Sequence, residues 1–199
     1  MKSKAILLFG AMLSLSIASY AGSKPGDKAT GFKLPNVNGE MVSLDDYLKY
    51  DGVILIFTCN TCPVSVAYEE RIMQLDEKYR GKGYPVVAIN SNSPEVSPGD
   101  SFEKMKELSD RRGFTFPYLF DADHSLARSY GATKTPHTFL LKRNGDHFVV
   151  SYIGAIDDNQ KVASVKKPYV EQAIASLSAG NNPDPAETLA VGCSIKFKK

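Results

Sequence analysis

The feature that most constrains this chain is a junction. Val53-Ile54-Leu55-Ile56-Phe57 is an unbroken apolar run rich in β-branched residues, the pattern of a strand covered on both faces. Directly after it comes Cys59-Asn60-Thr61-Cys62, and then Val66, Ile72, Met73, Leu75 and Tyr79 near helical spacing, closed by Gly81. A dithiol thus falls where a buried strand gives way to a helix. Thiolates, not thiols, carry out thiol–disulfide exchange. The free N–H groups and positive dipole end of a helix's first turn favour the thiolate. Two intervening residues let one sulfur reach the other, so one cysteine can attack a partner and the other resolve the mixed disulfide.

Other uses of the pair are weaker. A static disulfide closing so small a ring would remove little chain entropy. Structural zinc calls for four ligands, commonly in two close pairs. Here His124, His137, His147 and Cys193 are scattered singles.

Elements further along the chain complete an α/β pattern. Gly31 to Asp46 reads as a hairpin with an Asn38-Gly39 turn, running into a short helix from Ser43. Tyr84 to Ile89 is a second buried strand, and Asp100 to Arg112 an amphipathic helix stopped by Gly113. Pro117 to Phe120 is a short strand, and Ser125 to Tyr130 a short helix. His137 to Lys142 and His147 to Tyr152 flank Asn144-Gly145, a strong hairpin signal. Val165 to Leu177 is a last helix whose start Pro168 can set. This order predicts a sandwich with a mixed central β-sheet flanked by helices.

Residues 1–21 read as a secretory signal: Lys2 and Lys4, an apolar stretch from Ala5 to Ala18, then Ser19-Tyr20-Ala21. That stretch is short for a membrane span. The expectation is a cleaved leader, no stable membrane insertion afterwards, and a periplasmic or secreted product. Cleavage would remove two lysines from 24 basic against 22 acidic residues, leaving no basic excess to capture nucleic acid. Residues 23–179 are expected to form the domain and residues 180–199 a C-terminal tail.

Lys134-Thr135-Pro136-His137 opens the strand before the last hairpin, where a proline is tolerated. Together with the dithiol it resembles the thioredoxin superfamily over roughly Ser23 to Leu177. A narrower resemblance is to the peroxiredoxin-like (AhpC/TSA, redoxin-type) branch with a CxxC. It rests on Phe57-Thr58-Cys59-Asn60-Thr61-Cys62-Pro63, Asn90-Ser91-Asn92-Ser93-Pro94-Glu95, Phe116-Pro117-Tyr118-Leu119-Phe120-Asp121, Tyr130-Gly131-Ala132, Gly154-x-x-Asp157-Asp158 and Gly192-Cys193-Ser194-Ile195-Lys196. The resemblance implies a thioredoxin-like fold with Cys59 as nucleophile, Cys62 as resolving cysteine, Pro136 after a cis peptide and Thr135 as substrate clamp. It implies an exported thiol–disulfide oxidoreductase without a cofactor, working on a protein dithiol or disulfide and with an electron-donor or acceptor protein.

Two departures matter. True peroxiredoxins carry Thr or Ser three residues before the peroxidatic cysteine; aligning Cys62-Pro63 with that site puts Cys59 there, which favours exchange over efficient peroxide reduction. Lys134 stands where the branch often has another cysteine. Pro63 also leaves the attacking thiol open, since a Cys62 cap would make it the helix's first residue and give Cys62 the free N–H groups.

Cys193 is a possible third thiol: it can fold back onto Cys59 or Cys62, pair between chains, or be buried as a small hydrophobe. His137 can sit near the dithiol, where an imidazolium would stabilise a thiolate. His124 is expected at an exposed helix start, and Glu69 and Glu70 on a solvated helix face. The competing functions are copper binding or delivery through Cys59, Cys62 and His137 or His124, and weak thiol peroxidase activity.

Overall fold

The computed structural model describes residues 22–198. The secretory leader expected over residues 1–21 lies outside them. Among the described residues no helix is long and apolar enough to cross a membrane.

A short antiparallel hairpin comes first, β1 (Lys33–Pro35) with β2 (Met41–Ser43), turning at Asn38-Gly39 and leading into a 3-10 turn over Leu44–Tyr47. Five strands build the central sheet: β3 (Gly52–Phe57), β4 (Val86–Asn90), β5 (Tyr118–Phe120), β7 (His137–Asn144) and β8 (His147–Gly154). Their order is β5-β4-β3-β7-β8. β3, β4 and β5 run parallel, while β7 is antiparallel to both β3 and β8. This mixed sheet matches the expected architecture.

Period-two alternation along β3 divides the core in two. Ile54 and Ile56 face a layer made by α1 (Pro63–Tyr79), α2 (Phe102–Arg112) and α4 (Tyr169–Ser178), through Ile72, Leu75, Met105, Leu108, Val170 and Ile174. Val53, Leu55 and Phe57 face the opposite side, where α3 (Ser125–Tyr130) contributes Leu126, Ala127 and Tyr130. Val53 through Phe57 are all fully buried. Each such side chain stabilises the fold by roughly 1.5–3 kcal/mol.

Three helix starts are set by specific residues. Pro63 is the first residue of α1, with Cys62 as its cap. Ser101 accepts a hydrogen bond from the Lys104 N–H and starts α2 slightly later than the Asp100 the sequence pattern suggests. Pro168 caps α4, so that helix begins at Tyr169 and not at Val165.

Two two-residue strands complete the fold. β6 (Lys134–Thr135) precedes β7 and pairs antiparallel with β9 (Cys193–Ser194), which lies in the C-terminal tail. That tail packs on the domain: Glu187 bridges to Ile153 on β8, and Ile195 is buried against the α3-side core.

Candidate active site

The site lies at the end of β3, where the sheet delivers Thr58 and Cys59 to the start of α1. Thr58 donates its N–H to the Ile89 carbonyl at 2.8 Å, so the strand pairing runs right up to the first cysteine. Asn60 and Thr61 cross to the helix cap held by a single carboxylate. Asp100 is fully buried. It accepts hydrogen bonds from the Asn60 N–H (2.6 Å), Thr61 Oγ1 (2.7 Å), Asn90 Nδ2 (3.1 Å), Asn92 Nδ2 (2.9 Å) and Ser97 Oγ (2.6 Å). Burial alone would push this carboxyl up; the donors outweigh it and hold it below the usual range. Sequence reasoning treated Asp100 only as a helix start. The Asn90-x-Asn92 pair at the end of β4 was the signal available, because paired amides there need a buried acceptor.

The Thr135–Pro136 peptide is cis, as the resemblance implied. Thr135 is almost completely buried and touches both cysteines. Its Oγ1 lies 3.2 Å from Cys59 Sγ, and its carbonyl oxygen 3.4 Å from Cys62 Sγ. Cys59 Sγ is also 3.8 Å from Ser65 Oγ, one turn into α1. The expected clamp, cis proline and two cysteines are therefore brought together.

Their bonding differs from the expected pair. Cys62 is joined to Cys193 by a disulfide, with Cα atoms 5.9 Å apart, and Cys59 is a free thiol. Cys193 is thus neither a merely buried hydrophobe nor left for pairing between chains. It folds back onto the helix cap, and its N–H donates to Cys62 Sγ at 3.4 Å. In this state the disulfide runs from the helix tip to the tail, and no bond links Cys59 to Cys62. Pro63 takes the first position of α1 because Cys62, not Cys59, caps that helix, at the end where its free N–H groups lie.

Three further expectations are corrected. His137 follows the cis proline and lies opposite Phe57, but its ring packs on Phe139 and its Nδ1 is buried without a partner. Burial lowers its pKa to about 4, so at neutral pH it offers no imidazolium to a thiolate. His124 is buried, not exposed. It starts α3 with φ 62°, its Nδ1 2.8 Å from the Ser91 carbonyl, while Nε2 accepts from the Lys198 N–H at 3.3 Å. Glu69 is buried against Arg112 at 2.9 Å, whereas Glu70 remains exposed. Burial raises the Glu69 carboxyl and the Arg112 charge opposes that rise.

The ligands of the copper reading are placed as follows. Cys62 is engaged by Cys193, and the two histidines sit in the environments just described. Among the described residues no group of three His, Cys, Asp or Glu side chains is arranged to hold an ion.

Beside the disulfide, Val64, Tyr68, Pro136, Ile156, Tyr169 and Val191 line a cleft of about 250 Å³. Its floor is fixed by an ion pair that sequence reasoning did not find. Asp157 accepts from Arg71 and, at 2.8 Å, from the Tyr68 hydroxyl, with both charged side chains at most 10% exposed. Arg71 stacks on the Tyr68 ring, its guanidinium carbon 3.7 Å from the centroid.

The AhpC/TSA family profile matches residues 25–153, well over half the chain. The chain belongs to the AhpC/TSA family. Among characterised relatives of this family member, the thiol-disulfide oxidoreductase ResA of Halalkalibacterium halodurans is 27% identical over 124 residues, 62% of this chain and 66% of that protein. The chain spans just under two thirds of the length of such relatives. An uncharacterised conserved protein from Geobacillus kaustophilus is similar in structure, with a TM-score of 0.80, 33% identity, and coverage of 88% of this chain and 93% of that one. A putative thiol:disulfide interchange protein DsbE from Chlorobium tepidum shares 30% identity at a TM-score of 0.51, over 64% of this chain and 84% of its own. The fold is thioredoxin-like.

Proposed function

We propose that this protein is an exported thiol–disulfide oxidoreductase that exchanges electrons with protein dithiols and disulfides through Cys59 and Cys62, with Pro136 lining the cleft that receives the partner and Thr135 beside it. One observation carries the reading: a single residue, Thr135, touches both sulfurs of the CxxC and lies in register with a third cysteine. A spot where three sulfurs converge on one backbone segment is suited to passing a disulfide between them. ResA and the putative DsbE, each named for thiol–disulfide chemistry, support it from outside. Export rests on the leader pattern of residues 1–21.

Cys62 at the tip of α1 is the sulfur whose thiolate the helix stabilises most directly. In this reading Cys59, 3.2 Å from the Thr135 hydroxyl, is the resolving thiol. No cofactor is needed, because each step exchanges one S–S bond for another.

The test is disulfide reduction in insulin, driven by dithiothreitol. Wild type should accelerate it, and Cys62→Ser should lose about 100-fold or more, since the remaining thiols lie off the helix tip. A Cys62→Ser protein of wild-type rate would refute the assignment.

A second reading has its own observation. A cysteine capping α1 ahead of Pro63 and bonded to a distant cysteine is also the product expected from a two-cysteine thiol peroxidase. With Cys59 three residues before Cys62, no hydroxyl stands there to bind peroxide. We therefore rank this activity as secondary; rapid peroxide consumption dependent on Cys62 but not on Cys59 would promote it.

A further inference from the structure

The edge of β6 is already taken by part of the same chain. β9 lies antiparallel to β6, with Cys193 opposite Thr135 and Ser194 opposite Lys134. If Thr135 clamps an extended partner strand, as proposed above, the tail lies where that strand would lie.

The placement is built in on both sides. At Gly192 a Cβ would run into the Thr135 carbonyl, so only glycine lets the tail approach this closely. Beyond Cys193, the Ile195 N–H donates to the Thr133 carbonyl at 3.1 Å, and Ile195 itself is buried. The Lys196 N–H donates to Asn92 Oδ1 at 2.8 Å, and the Ser93 N–H to the Lys196 carbonyl at 2.7 Å. Asn92 also holds Asp100, so the tail and the CxxC loop share a support.

This docking leaves the tail cysteine as the most exposed of the three. Cys59 and Cys62 are each 3% exposed, whereas Cys193 is only half-buried. Attack on a disulfide requires access to the sulfur attacked.

We propose that Cys193 is the exchange sulfur of this protein: the tail is a built-in substrate strand that carries the disulfide between protein partners outside and Cys62 and Cys59 inside. This rests on the oxidoreductase reading and adds the point of contact. In the oxidising direction a partner thiolate attacks Cys193 Sγ; a partner–Cys193 bond forms, and Cys62 leaves as a thiolate at the α1 tip. The partner's second thiol loses its proton to solvent and attacks its own sulfur in the mixed disulfide. The partner departs oxidised by two electrons, and Cys193 takes up a proton as a thiol. The enzyme disulfide has gained those two electrons, and reduction of a partner runs the same steps backwards. Internally, Cys59 can give up its proton and attack Cys62 Sγ. That forms Cys59–Cys62 and returns Cys193 to the thiol, with no net electron transfer.

The test mixes the oxidised full-length protein with reduced, unfolded ribonuclease, quenches with N-ethylmaleimide during the reaction, and maps the mixed disulfide by peptide mass spectrometry. A cross-link on Cys193 is expected; one on Cys62 or Cys59 would overturn the proposal. In a second arm Cys193→Ser, oxidised and shown by mapping to carry Cys59–Cys62, should exchange with the same protein about tenfold more slowly or worse, because its sulfurs stay beneath the tail. Exchange at the wild-type rate or faster would make the tail a mere plug and overturn the relay. Wild type that exchanges with no protein thiol at all would overturn the oxidoreductase reading itself, a different failure.

Discussion

Asp100 shows how much of a redox site can depend on a residue that never touches sulfur. Its five donors include the Asn60 backbone and the Thr61 hydroxyl, the two residues between the cysteines. An asparagine at this position would turn an NH₂ group toward donors that need an acceptor. Asp100→Asn should therefore cost about 2–4 kcal/mol in urea unfolding, from several hydrogen bonds lost or reversed at a buried point. Alkylation of Cys59 should speed up in the same variant as the loop loosens. His137 makes a second prediction. Burial depresses its folded pKa to about 4 from an ordinary 6.5. Between those values the unfolded chain binds a proton that the folded chain does not, so stability falls as pH drops from 6.5 toward 4. The loss is at most about 3 kcal/mol. His137→Phe keeps the packing against Phe139 and should flatten that part of the profile in urea midpoints; an unchanged slope would assign it to other groups.

At the scale of elements, α1 joins the site to the core. Tyr68, Ile72, Leu75 and Tyr79 fix its inner stripe, and Arg71 reaches from the same helix to Asp157. Asp157→Asn would leave the Arg71 charge buried without its counter-ion. A loss of about 3–5 kcal/mol is expected, read by denaturant midpoint, with a change in the cleft beside Val64 and Pro136. Reading the sequence alone recovered such elements well, because local chemistry sets their ends: Asn38-Gly39 and Asn144-Gly145 turn the hairpins, and Gly113 and Gly131 stop helices in left-handed backbone. The family resemblance, not local chemistry, put Cys59, Cys62, Thr135 and Pro136 in one place. Neither found the contacts that join distant segments. His124 looks like a surface residue until the tail delivers the Lys198 N–H to it, and Glu69 looks solvated until Arg112 closes over it. Nothing in the spacing of Cys193 says that it returns to the tip of α1. That return depends on β6 having an unpaired edge and on Gly192 fitting against it.

For the molecule as a whole, the Cys62–Cys193 bond ties the first long helix to the last strand across 131 residues of sequence. Closing so long a loop restricts the unfolded ensemble, and on the chain-entropy account a loop of this size stabilises the fold by roughly 5 kcal/mol. The internal exchange proposed here breaks that long loop and forms the very short Cys59–Cys62 ring, which restrains the unfolded chain far less. The two oxidised isomers should thus differ in global stability although they carry the same number of disulfides. Oxidised wild type held in the tail-bonded form should unfold at higher urea than oxidised Cys193→Ser, by an amount approaching those few kcal/mol. Reduced wild type should fall close to the variant, because its tail is then held by non-covalent contacts alone, among them those to β6, Asn92, Ser93 and His124 and the burial of Ile195. Reduction should also speed amide exchange in β9 and at Ile195 well before it affects β3, the fully buried strand at the centre of the sheet. Equal protection of β9 in both redox states would mean that non-covalent contacts alone hold the tail down. Cys193 would then stay docked throughout the cycle, and partners would have to reach it in place.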